Sequence, residues 1–253
     1  MQGGDNMKSV FAGNKAKFAY FSFIFIIIST AMYTFYAKEP HWWYIVWNDI
    51  LAVIPLFAAM LCEHYFSKKK AVPAVIFGFL WLLFFPNSPY MMTDLKYTSY
   101  FKESAYLEYE KIGTNVTAWL IVLNLTVTVI LGLLFGMMSM RIIHKIINKR
   151  FGKATGVAFC TITILLSSFA IYIGRYARVN SWDIVRPIFL IEKSFNSLSE
   201  FSPIFIALFC IATAMLYVLY YAFDKFVMKT NRLTALRSWY SPRACSATSP
   251  SLP

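Results

Sequence analysis

Between Lys17 and Lys38 the chain runs for 20 residues without a charged side chain. It does so again for 21 residues between Lys153 and Arg175, and for 23 between Glu200 and Asp224. Coiled as helices, these runs are about 30–35 Å long at 1.5 Å per residue. That is the thickness of a bilayer's hydrocarbon core, which about 20 apolar residues cross. In lipid each backbone polar group must be satisfied within the protein, and a helix does this within one segment. Composition agrees. Of 253 residues, 58% are hydrophobic and 14% charged, with a mean hydropathy of +0.55. A soluble domain carries about 25% charge. A soluble enzyme, a disordered binder and a disulfide-stapled secreted domain are therefore excluded.

Hydropathy predicts an all-α, polytopic membrane bundle of six transmembrane helices, at 18–37, 43–66, 71–85, 116–140, 155–174 and 203–223. The first run is too long for a signal peptide, and no small-residue cleavage site follows it. Residues 1–17 are read as a cytoplasmic segment, 18–226 as the transmembrane domain, and 227–253 as a cytoplasmic, disordered tail. The charges orient the bundle. With a cytoplasmic N-terminus, 16 of the 24 Lys and Arg residues but only 3 of the 12 Asp and Glu residues fall on inner segments. The positive-inside rule then puts both termini in the cytoplasm. The net charge of +12 is thus mostly an orientation signal, and no nucleic-acid partner is expected because no basic stripe with interleaved aromatics is present. Cysteines and histidines show no metal-ligand or redox spacing, so no metal and no cofactor is expected.

Two spans fall short. Only 13 residues separate Asp49 from Glu63, about 20 Å of helix. Glu63 has lysines nearby at the interface, so Asp49 is the intramembrane carboxylate. Such a group is costly without a partner, and Arg175 or Arg178 is expected to pair with it, Arg175 first. The third span meets Pro86-Asn87-Ser88-Pro89 after 15 residues. Two prolines three apart remove helical hydrogen bonds, and interrupted spans point to membrane binding sites.

Three polar motifs converge on the outer face in this topology. They are Trp47-Asn48-Asp49, then Pro86-Asn87-Ser88-Pro89-Tyr90 with Thr93-Asp94, and Gly174-Arg175-Tyr176-Ala177-Arg178-Val179-Asn180-Ser181-Trp182-Asp183. Arg175 and Arg178, three apart, share a helical face and suit phosphate or carboxylate. Asn48, Asn87, Tyr90, Asn180 and Trp182 complete a ligand-binding set, and Asp94 and Asp183 are the candidate general acid and base. Each group also has a plainer role: the asparagines as caps, the arginines as interface anchors, the tryptophans as an aromatic belt. The expected ligand is an anionic lipid or lipid-linked headgroup, in addition to bulk membrane lipid. A small-solute transporter and a non-catalytic scaffold are the alternatives.

At these motifs the chain resembles the family of bacterial membrane proteins known as domain of unknown function 1361. Trp47-Asn48 with Leu51-Ala52 and Ile54-Pro55, Phe85 to Tyr90 with Thr93-Asp94-Leu95, and Gly174 to Asp183 carry the resemblance. It implies a multi-pass architecture in a bacterial cytoplasmic membrane and no particular activity. Asn87, Asp94, Arg175, Arg178, Asn180 and Asp183 match the pattern. Asp49 stands where the family has an apolar residue, Val179 where it often has Trp, and no His follows the Thr-Asp-Leu block.

Overall fold

The computed structural model describes Ile24, residues 43–102 and residues 116–240. Helices make up all of the regular structure among the described residues. They are α1 (Trp43–Ser67), α2 (Ala71–Phe84), the single turn α3 (Asn87–Tyr90), α4 (Val116–Phe151), α5 (Lys153–Tyr176), α6 (Pro187–Asn196) and α7 (Ser202–Tyr240). Two 3₁₀ segments, Met91–Lys102 and Ser181–Val185, link them. Five stretches among the described residues are long and apolar enough to cross a membrane: Ile45–Ser67, Ala71–Lys96, Val122–Phe151, Lys153–Tyr176 and Ser202–Val227. They match the second to sixth expected spans. The expected first span, the N-terminal segment, the residues from 103 to 115 and those from 241 onward lie outside the described residues.

Large apolar side chains stay exposed along the outer flanks, among them Val72 and Val75 on α2, Ile162 and Leu165 on α5, and Leu208, Ile211 and Leu219 on α7. A soluble monomer does not show apolar surface on this scale. Such a surface suits a bilayer, and with five apolar spans the chain is a multi-pass membrane protein.

Two helices outrun their apolar stretches. The fourth span was expected to stop at residue 140, but α4 continues to Phe151. The sixth span is expected over 203–223, and α7 continues to Tyr240. Loss of hydropathy ends a span without ending a helix. Lys, Arg, Leu and Ala are strong helix formers, and no Pro or Gly interrupts either extension. α4 does end at Gly152, where φ is +97°. A residue without Cβ takes that conformation readily, and one residue turns the chain into α5.

α1 packs against α2 and α4, α4 against α5, and α5 against α7. Leu56, Ala59, Trp81, Phe85, Phe135 and Met140 form the centre of the main core. There the Trp81 indole N–H donates to Ser139 Oγ at 3.0 Å. The beginnings of α1 and α7 and the ends of α2 and α5 lie at one end of the bundle. The basic extension of α4 lies at the other.

Candidate functional site

The Pro-Asn-Ser-Pro motif interrupts α2 as expected, yet the chain stays helical through it. Pro86 sits at φ −58°, ψ −25°. The prolines cannot donate, so the bonds are rearranged. Ser88 N donates to Phe85 O at 3.1 Å and Tyr90 N to Pro86 O at 2.9 Å. Phe84 O, which a regular helix would pair with Ser88 N, accepts instead from Asn87 Nδ2 at 2.9 Å. Asn87 thus completes the backbone, the plainer of its two expected roles.

The turn is wedged between α1 and α4. Ser88 Oγ donates to Ala52 O on α1 at 2.9 Å. On α4, a Cβ at Gly136 would lie 2.6 Å from Ser88 Cβ, and one at Gly132 would lie 2.7 Å from Met91 Cγ. No side chain fits at either position. These glycines, four apart on one helical face, allow the close approach typical of small residues between membrane helices.

The third motif folds around Arg178, an exposed residue in the left-handed region at φ +54°. It reverses the chain after α5. Asp183 then closes the loop: Asn180 N donates to its Oδ2 at 2.8 Å, and Arg186 Nη2 lies 3.8 Å from its Oδ1. Both oxygens hold the loop's own atoms.

One cavity of about 230 Å³ joins the three motifs. Its polar wall consists of Asn48, Asn87, Tyr90, Asn180 and Ser181, and Leu51, Leu83 and Ile171 are on its apolar side. Trp47 also lines it and meets Trp182 edge to face at 6.3 Å between centroids. Asn87 Nδ2 bonds across the cavity wall to Ser181 Oγ at 3.1 Å, joining the second motif to the third.

The structure therefore brings Asn48, Asn87, Tyr90 and Asn180 onto one surface, with Trp182 at its edge. Asp49, Asp94, Arg175, Arg178 and Asp183 are not among the lining residues. Asp94, 0% exposed, stands behind the wall and accepts from Asn48 Nδ2 at 2.9 Å. Its Oδ1 is buried with no hydrogen-bond partner among the described residues. Asp49, 3% exposed, and Arg175, the expected pair, both act electrostatically on Asp94. Neighbouring helical positions point about 100° apart, so chain position alone does not select the partner.

Sequence reasoning missed Ser181 as a lining residue, and the glycines that seat the turn. The spacing Gly132-x-x-x-Gly136 in an apolar run was the signal for the second. It also missed a polar cluster at the basic end. Asp224 Oδ2 lies 2.7 Å from Arg141 Nε and 3.1 Å from Lys145 Nζ. The Arg141 guanidinium covers the Tyr221 ring at 4.4 Å. His144 Nδ1 and Tyr217 Oη share a hydrogen bond at 2.5 Å. Arg141, His144 and Lys145 recur at helical spacing on one face of α4, and Tyr217, Tyr221 and Asp224 do so on α7.

The family described as "Protein of unknown function (DUF1361)" matches residues 47–216, and the chain belongs to it. The match takes in all three motifs. No curated protein and no solved structure matches the chain.

Proposed function

We propose that this member of the family binds the headgroup of a lipid or lipid-linked molecule in the cavity, on the extracytoplasmic side of a bacterial cytoplasmic membrane. The observation that carries this reading is the cavity itself. Three motifs separated by tens of residues line one space, and each contributes polar atoms to it. The positive-inside count supports the side and, with the apolar run expected before α1, both termini in the cytoplasm. Arg178 is exposed near this loop and suits the anionic part of such a ligand.

Binding has more support than catalysis. Asp183 is occupied as a cap and Asp94 lies behind Asn48, so neither carboxylate faces the cavity as a general acid or base must. A scaffold would need no cavity. A transporter is the second reading, favoured by the buried hydroxyls of Thr163, Ser167 and Thr213 in the middle turns of α5 and α7.

The test is lipid co-purification. Full-length protein extracted in mild detergent is expected to retain one lipid class far above its membrane abundance. Ala170→Leu, which places a larger side chain at a lining position, is expected to lose that class and keep bulk lipid. Identical retained lipids in both proteins would overturn the proposal.

A further inference from the structure

The hydrogen bonds already made by the cavity wall limit what can enter it. An asparagine side chain has two N–H donors and one carbonyl acceptor. Asn87 gives both donors away, to Phe84 O and to Ser181 Oγ. Phe84 O only accepts, so the nitrogen must face it and the amide cannot be flipped. What Asn87 has left is an acceptor. Asn48 gives one N–H to Asp94 and keeps its second N–H and its carbonyl. Ser181 Oγ accepts from Asn87 and keeps its hydroxyl hydrogen to donate. Asn180 spends its carbonyl on the cap of its own loop and keeps its amide hydrogens, so the wall presents fixed donors and acceptors side by side, all of them uncharged.

Charge acts the same way. Among the described residues no Lys, Arg, Asp or Glu lines the cavity, and the groups behind Asn48 include the carboxylates Asp49 and Asp94, with Arg175 acting on Asp94. A phosphate carries negative charge and only accepts, so against this wall it would find no cation among the described lining residues and would leave the Asn48 and Asn87 carbonyls unmatched. A sugar ring carries hydroxyls that both donate and accept, and its carbon faces suit an apolar side formed by Leu83 and Ile171. At about 230 Å³ the space falls just under the roughly 300–1,000 Å³ of pockets for drug-sized ligands, so it takes one small unit.

We infer that the part of the ligand seated in this cavity is an uncharged, hydroxyl-rich unit the size of one sugar ring, with any phosphate held outside the wall. The inference rests on the lipid-headgroup reading and refines it. A lipid source is favoured because Ile184 and Leu190 line the cavity while adjacent Val185 and Ile188 are 76% and 82% exposed, on an apolar strip beside the cavity.

Full-length protein in phosphatidylcholine nanodiscs is mixed with a monoglucosyl diacylglycerol, with phosphatidic acid, or with methyl glucoside, and bound ligand is counted by native mass spectrometry. The expected result is that the glucolipid exceeds phosphatidic acid by about tenfold, the equivalent of one to two hydrogen bonds. Ser181→Ala is expected to lower its retention several-fold, and Ala170→Leu to abolish it. If Ala170→Leu does not fold, Leu83→Phe is the second filling variant. Phosphatidic acid bound as well as the glucolipid, and lost in the filling variant, overturns the sugar inference and leaves the lipid reading standing. Methyl glucoside bound as tightly as the glucolipid upholds the sugar unit and removes the lipid reading. No ligand retained above the phosphatidylcholine background overturns both.

Discussion

At the basic end of the bundle, Asp224 is flanked by Arg141 at 2.7 Å and Lys145 at 3.1 Å, and the guanidinium is covered by the Tyr221 ring. At the cavity end, Asp94 meets a neutral amide, and its second oxygen has no hydrogen-bond partner among the described residues. Both carboxylates sit among membrane-spanning helices. One is matched by cations that belong to the fold. The other, on which Arg175 acts electrostatically, supports an asparagine whose remaining polar atoms line an open space. The basic cluster ties α4 to α7, so its role is to join helices. The cavity cluster fixes the direction of polar groups and leaves them for something else.

The contrast breaks first at Asp224. Asp224→Ala leaves Arg141, 8% exposed, without its carboxylate; the pair is part-buried, so the cost lies at or below the lower end of the about 3–5 kcal/mol for a buried pair. We expect a clear drop in the unfolding midpoint in detergent, while surviving folded protein keeps its lipid. Lipid lost with the fold intact would mean that the two ends act as one site. Next comes Gly136→Ala. Its Cβ would press on Ser88, and overpacking of this kind costs about 1–3 kcal/mol. Because Asn87 moves with Ser88, bound ligand and the unfolding midpoint should fall together, and a variant that loses only stability would detach the turn from the site. The smallest effect is expected at Arg178. Its left-handed backbone costs an ordinary residue about 1–2 kcal/mol, which glycine avoids at some cost in chain entropy. Arg178→Gly should therefore stay within about 1 kcal/mol of the parent. It should weaken retention of a phosphate-bearing glycolipid and leave a neutral one untouched. Equal loss of both would make Arg178 a structural residue.

The second to sixth spans were legible because lipid imposes one simple demand, apolar length, on every helix that crosses it. The helix ends were not, because Arg141 and Asp224 mark where hydropathy stops while α4 and α7 continue on helix propensity. The gathering of the three motifs was legible from polar residues placed where spans run short. The division of labour within them was not. Asp94 and Asp183 read alike as free acids in a list of residues. The Asn180-x-x-Asp183 spacing signals a cap, whereas the burial of Asp94 behind Asn48 depends on how a 3₁₀ segment lies against α1. The electrostatic pairing of Arg175 with Asp94 likewise depends on the rotation of α5 about its own axis.

Asn87 repairs the break that two prolines make in a membrane helix, and the same amide sets the polarity of the cavity wall. An atom with two duties has little freedom to drift. Related chains that come to prefer another headgroup would be expected to keep this side chain and vary Ala170, Ile184 and Leu190, lining positions that carry no side-chain polar atom. The apolar positions would then record the history of ligand preference, and the polar ones would record the repair.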